Sequence, residues 1–160
     1  MVIELKLLLL LLVANGAPIL ARHLFGDRFN RPLDGGYRTP KGHYLLGPSK
    51  TIRGLIAALI ATSATAPLLG IGWKSGAMIG ALAMLGDLTA SFIKRRLDMP
   101  PSSQAIGLDQ VPESLLPLLY CAVVFDLDWW GMLLLVLIFS VVVSLLSRLL
   151  FLLGVRRRPY

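Results

Sequence analysis

Apolar runs long enough to cross a hydrocarbon core, which takes about 20 helical residues, constrain this 160-residue chain more than any other feature. Several such runs are present, and five hydrophobic segments can be placed: about Val2–Leu20, Gly54–Ile71, Ser75–Ile93, Glu113–Phe125 and Trp129–Leu153. The third is rich in glycine and alanine, the fourth is short and contains Pro117, and the fifth is the least interrupted. Hydrophobic residues make up 56% of the chain and charged ones 16%, against roughly 25% charged in soluble domains. Mean hydropathy is +0.72. A soluble enzyme, a disulfide-stapled secreted domain and a disordered tail are excluded. Cys121 has no partner for an internal bridge and reads as a small hydrophobe.

The expected architecture is an all-α integral membrane protein, a single domain over residues 1–160 built as a bundle of about five transmembrane helices. Charge sets its orientation. The connection at about 21–53 carries Arg22, Arg28, Arg31, Arg38, Lys41, Lys50 and Arg53. The connection at about 94–112 opens with Lys94-Arg95-Arg96, and the tail ends in Arg156, Arg157 and Arg158. The other two connections offer only Lys74 and the acids Asp126 and Asp128. Basic loops stay in the cytoplasm, so the N-terminus is expected outside and the C-terminus inside. Trp73, Trp129 and Trp130 then fall at the outer boundary, where indoles prefer to sit. The net charge of +7 is accounted for by loops facing anionic lipid rather than by nucleic-acid binding. Leu7–Val13 followed by Ala14-Asn15-Gly16-Ala17 also resembles a signal-peptide core, but Glu4 precedes it and a basic loop follows, which favours a retained span.

The third span carries the chemistry. Gly76, Gly80, Ala83, Asp87, Ser91 and Lys94 recur at three- and four-residue steps and share one helical face. Small residues admit a neighbouring helix, so the stripe aims Asp87 into the bundle. An ionisable group inside a span marks a site more often than a strut; the competing reading is a salt bridge from Asp87 to Lys94 or Arg95. Asp87, Lys94, Arg95, Arg96 and Asp109 cluster at one mouth with Lys50, Thr51 and Arg53. Acids beside cations suit metal-dependent phosphate chemistry, although on spacing alone Lys94-Arg95-Arg96 reads as the basic flank of a span.

Gly47-Pro48-Ser49-Lys50-Thr51 lacks the first Walker glycine and follows no strand, so a P-loop is rejected. A helix start with a lysine and a hydroxyl still suits a phosphate. His23 and His43 have no ligand partners at zinc spacing, and no Ser–His–Asp arrangement is legible.

Four stretches resemble the CDP-archaeol synthase family, within the CTP:phosphatidate cytidylyltransferase-like membrane enzymes. They are Ala14-Asn15-Gly16-Ala17-Pro18, Ser49-Lys50-Thr51-Ile52-Arg53-Gly54, the run Gly86 to Arg96 and Leu108-Asp109-Gln110. The resemblance implies transfer of CMP from CTP to a lipid phosphate, giving a CDP-activated lipid and pyrophosphate, with Mg²⁺ as cofactor and the active site facing the cytoplasm. It assigns Asp87 and Asp109 to the metal, with Glu113 a further candidate, and makes Lys94 part of the catalytic set. Asn15, Lys50, Thr51, Arg53, Ser91, Arg95 and Arg96 become nucleotide- or phosphate-binding residues. The family's aspartate-glutamine-x-aspartate run stands here as Asp109-Gln110-Val111-Pro112, with Glu113 one position beyond the missing acid. The stretch Gly107–Pro117 resembles a bacterial branch, which implies a bacterial inner membrane. The alternative is a non-catalytic lipid- or nucleotide-binding protein on the same fold. A small transporter is disfavoured, because the spans carry few polar groups besides Asp87.

Overall fold

The computed structural model describes residues 2–40 and 42–154; Lys41 and the Arg156–Arg158 run lie outside the described residues. Five helices account for the expected segments: α1 (Ile3–Phe25), α2 (Ile52–Leu68), α3 (Trp73–Arg96), α4 (Gln110–Phe125) and α5 (Trp129–Leu152). Three of them, α1, α3 and α5, are long and apolar enough to cross a membrane, whereas α2 and α4 have 17 and 16 residues.

The helix ends depart from the sequence expectation for local reasons. The first helix passes Pro18 and runs to Phe25, because Ala21 to Leu24 continue it. It stops at Gly26, whose φ of 55° suits glycine and whose N–H returns to the Arg22 carbonyl. The first basic connection therefore begins at residue 26 rather than 21. Likewise α3 takes in Lys94, Arg95 and Arg96 in its last turn, where cations complement the helix dipole, and the following loop shortens to 97–109. Thr51 starts α2 by accepting a bond from the Gly54 N–H.

The helices form a ring in chain order, with α5 returning to α1 and α1 also crossing to α3. Glycines set the close approaches. A Cβ on Gly76 would lie 2.5 Å from both the Thr62 carbonyl and Ala66 Cβ, and Gly80 faces Thr62 as well, so α2 packs directly on the backbone of α3. Gly86 stands against Pro112 and Glu113 of α4, and Gly54 of α2 meets Pro18 of α1.

The bundle divides lengthwise. Leu7, Leu10 and Leu11 of α1 pack with Leu118 and Cys121 of α4 and with Met132, Leu135, Val136 and Phe139 of α5 to form an apolar half. The opposite half holds the C-terminal ends of α1, α3 and α5 and the N-terminal ends of α2 and α4. Trp73, Trp129 and Trp130 start α3 and α5 at the apolar end and are exposed.

Candidate functional site

A cavity of about 760 Å³ opens at the polar end, lined by residues from all five helices and from the two long connections. Each wall has a local cause. Asn15, Ile19 and Arg22 of α1, with Gly26 at its C-cap, follow helical spacing down one face. Lys50 enters on a segment fixed by antiparallel pairing: the Leu33 N–H donates to the Lys50 carbonyl (2.8 Å) and the Ile52 N–H to the Arg31 carbonyl (3.1 Å). Asp87 comes from α3. Asp109, Gln110 and Glu113 come from the start of α4, which Gly86 allows to lie close.

Two acid–lysine pairs dominate this space. Lys50 Nζ lies 2.7 Å from Asp87 Oδ1 and 2.6 Å from Oδ2. Lys94 Nζ lies 2.6 Å from Asp109 Oδ1 and donates to the Ser103 carbonyl at 2.8 Å, while Asp109 Oδ2 accepts the Ala105 N–H at 2.9 Å. Asp87 therefore pairs with neither Lys94 nor Arg95 of its own helix. A third carboxylate, buried Glu113, accepts a 2.5 Å bond from Asn15 Nδ2 and lies within electrostatic reach of Asp87, Asp109 and Lys50. Glu113 sits one turn after Asp109, on the same helical face, so the start of α4 supplies two acids to the cavity although Pro112 occupies the expected position.

Of the residues singled out from sequence, Asn15, Lys50, Thr51, Arg53, Asp87, Lys94, Asp109 and Glu113 line the cavity. Their bonds differ from simple expectation in two cases. Arg53 Nη1 donates to the carbonyls of Gly26 (2.9 Å) and Arg28 (2.5 Å), so it closes the C-terminal end of α1 from the start of α2. Asn15 is engaged with Glu113 rather than left free for a nucleotide. Three residues are not brought to this cavity. Ser91 is buried within the helix packing. Arg96 is turned outward, donating to the Tyr44 carbonyl and standing over the Phe92 ring, because Tyr44, paired with Arg38, packs on that side of α3. Arg95, 4% exposed, lines a separate cavity of about 160 Å³ with His43, Tyr44 and Asp98, and its Nε and Nη1 have no hydrogen-bond partner among the described residues.

Sequence reasoning missed Asp34, Gln110 and the α5 serines. Asp34 accepts the N–H groups of Leu46, Gly36 and Gly47 and so folds the segment leading to Lys50. Partial burial alone would raise its pKa, but those N–H bonds more than offset it and hold the carboxyl below its usual 3.8. Gln110 accepts the Gly107 N–H, and Ser144 and Ser147 face the cavity from α5. Their i, i+3 spacing was a signal available in the sequence.

Fold and cavity together define an integral membrane protein whose all-helical bundle encloses an acid- and lysine-lined site at one end. The model of the family described as "CarS-like: CDP-archaeol synthase" matches residues 69–160, more than half of the chain. The chain belongs to that family. It is 40% identical over 109 residues to the CDP-archaeol synthase of Hyperthermus butylicus, covering 62% of this chain and 60% of that one. With the enzyme of Thermococcus onnurineus the identity is 36% over 61% of each chain. With that of Aeropyrum pernix it is 39% over 66% of this chain and 60% of the relative. The chain thus spans about 60% of the length of these curated relatives. A solved structure of an intramembrane enzyme for archaeal membrane lipid biosynthesis superposes with a TM-score of 0.74 at 30% identity, over 90% of this chain and 91% of that one. These relatives are archaeal, so the expectations of a bacterial branch and a bacterial inner membrane find no support in them.

Proposed function

We propose that the protein is a membrane cytidylyltransferase that moves CMP from CTP to a lipid phosphate. A phosphate oxygen of the lipid attacks the α-phosphorus of CTP, the bond from that phosphorus to the bridging oxygen of the β-phosphate breaks, and pyrophosphate leaves. The new linkage is the diphosphate of a CDP-lipid. The observation that carries this reading is the pair of acid–lysine contacts, Lys50–Asp87 and Lys94–Asp109, facing one cavity in a chain of the CDP-archaeol synthase family.

The donor set fits a hard divalent cation such as Mg²⁺. Among the described residues no three Asp, Glu, His or Cys side chains converge as a ready metal cage, but Mg²⁺ is usually held by one or two carboxylates together with substrate phosphates. Asp87 and Asp109, with Glu113 beside them, would hold it. Once bound, the ion would supply charge neutralisation at phosphate oxygens. The protein's own share is positioning and electrostatics, with no covalent intermediate on the chain. Lys94, fixed by Asp109 and the Ser103 carbonyl, keeps a cation at the cavity wall where negative charge develops. Lys50 and Thr51 offer an ammonium and a hydroxyl to the phosphates at the start of α2. Asn15 holds the Glu113 carboxylate in place. The positive-inside rule puts this polar end in the cytoplasm, where CTP is found, while α1 and α5 keep the lipid chain at membrane depth.

The test is pyrophosphate release by detergent-solubilised protein given CTP, Mg²⁺ and a series of lipid phosphates. Release that requires both CTP and a lipid phosphate is the expected result. Binding of CTP without turnover on any lipid phosphate would instead establish the non-catalytic alternative, in which the Pro112 change has disabled the site.

A further inference from the structure

The two lysines at the cavity are held differently. The Lys94 side chain is 8% exposed and fixed by two partners, the Asp109 carboxylate and the Ser103 carbonyl. Among the described residues the Lys50 ammonium bonds only to the two oxygens of Asp87, and its side chain is 21% exposed. Its backbone is pinned by the 31–33 segment, which leaves the side-chain torsions as the freedom by which the ammonium can change partner. Lys94 is tied to two separate groups, and Lys50 to one carboxylate alone.

Resting on the reading of the cavity as a nucleotide and divalent-cation site, we propose that Lys50 is an exchangeable counter-ion for Asp87. In the structure its ammonium bonds both oxygens that a divalent cation would use. When a nucleoside triphosphate and the cation arrive together, Asp87 passes to the cation and the Lys50 ammonium passes to a phosphate oxygen. Every charge then keeps an opposite neighbour. A cation arriving alone must displace the ammonium and leave it unpaired beside a dication. A triphosphate arriving alone must draw Lys50 away and leave the Asp87 carboxylate facing phosphate oxygens. Each ligand alone is therefore disfavoured, and each raises the affinity for the other by the same factor, as linkage requires. Couplings of this kind typically span about 5–150-fold.

The exchange makes a prediction that a simple phosphate contact does not. Removing the Lys50 charge should strengthen cation binding in the absence of nucleotide. Mn²⁺ binding to the detergent-solubilised full chain, read by electron paramagnetic resonance of free Mn²⁺, should tighten about tenfold or more in Lys50→Gln. Lys50→Arg, which keeps the pair, should match the parent, and adding Asp87→Asn to Lys50→Gln should abolish the gain. Reciprocally, Asp87→Asn should bind CTP in EDTA more tightly than the parent does, and this arm stands even where Lys50→Gln fails to fold. Mn²⁺ affinity that is unchanged or weaker in folded Lys50→Gln, or CTP affinity in EDTA that is unchanged in Asp87→Asn, overturns the exchange while leaving the nucleotide site intact. A parent chain that binds no CTP even with Mg²⁺ overturns the nucleotide reading and the exchange with it.

Discussion

Gly86 of α3 lies directly against the carbonyl of Pro112 in α4, and a Cβ at position 86 would also stand 2.6 Å from the Cα of Glu113. The obstacle is backbone on both counts, so no rotamer change can relieve it. This contact lets the first turn of α4, with Asp109 and Glu113, reach the same cavity as Asp87. Gly86→Ala is therefore expected to push α4 off α3, lowering the melting temperature and the activity together, at a cost of about 1–3 kcal/mol as for other overpacked cores. Gly16 in α1 has nothing within 4 Å of its would-be Cβ, so Gly16→Ala should leave the melting temperature unchanged or slightly raised. Thermal denaturation of the two variants in one detergent makes the comparison.

Asp87→Asn separates chemistry from architecture. The amide keeps the shape and can still accept a hydrogen bond from Lys50, so the bundle should assemble. Loss of the charge at the carboxylate proposed to hold the cation should lower CTP-dependent pyrophosphate release by about 10²-fold or more. A purely structural role predicts the opposite pattern, with melting temperature lost and turnover per folded molecule retained. Both quantities are to be measured on the same preparation.

Asp34 gives the loop before Lys50 a defined pH response. Its folded pKa lies below the ordinary value of 3.8 because the N–H bonds from Leu46, Gly36 and Gly47 outweigh the opposing effect of partial burial. A depressed carboxylate contributes stability that is fully present above its unfolded pKa and is lost as pH falls through the folded one. Protection of the Gly36, Leu46 and Gly47 amides should thus be constant near neutrality and decline only in acid below about pH 4. At pH 7, Asp34→Ala should speed hydrogen exchange at the Leu46 and Gly47 amides on the order of tenfold, as expected for losing a bond to a charged acceptor. Unchanged exchange at both amides would show that the loop is held by other means.

The polar end of the bundle is expected in the cytoplasm. A reporter fused after residue 160 should therefore signal the cytoplasm, and one inserted in the short connection before Trp129 the outside. An active periplasmic-type phosphatase at the C-terminus would reverse the orientation and move the cavity away from CTP.

Much of this arrangement is written locally. The number and order of the helices followed from hydropathy, because a backbone in lipid must satisfy its own hydrogen bonds and an apolar run of span length has few ways to do so. The inward aim of Asp87 followed from the glycine stripe, since period and residue size are properties of one helix. The acids Asp87 and Asp109 and the lysines Lys50 and Lys94 were all legible on those terms and on the family resemblance. What the chain alone did not decide is who meets whom. Asp87 and Lys94 share a face of α3, yet each pairs with a residue from another segment, Lys50 and Asp109. Arg95 and Arg96 follow Lys94 directly, yet Tyr44 and the small cavity beside it draw them away from the site. Glu113 reaches the acids only because Gly86 admits α4, and Asn15 meets it from 98 residues away. Helical periodicity reports the direction of a side chain about its own axis. The partner at the end of that direction is set by which helices pack together, and only the tertiary structure fixes that.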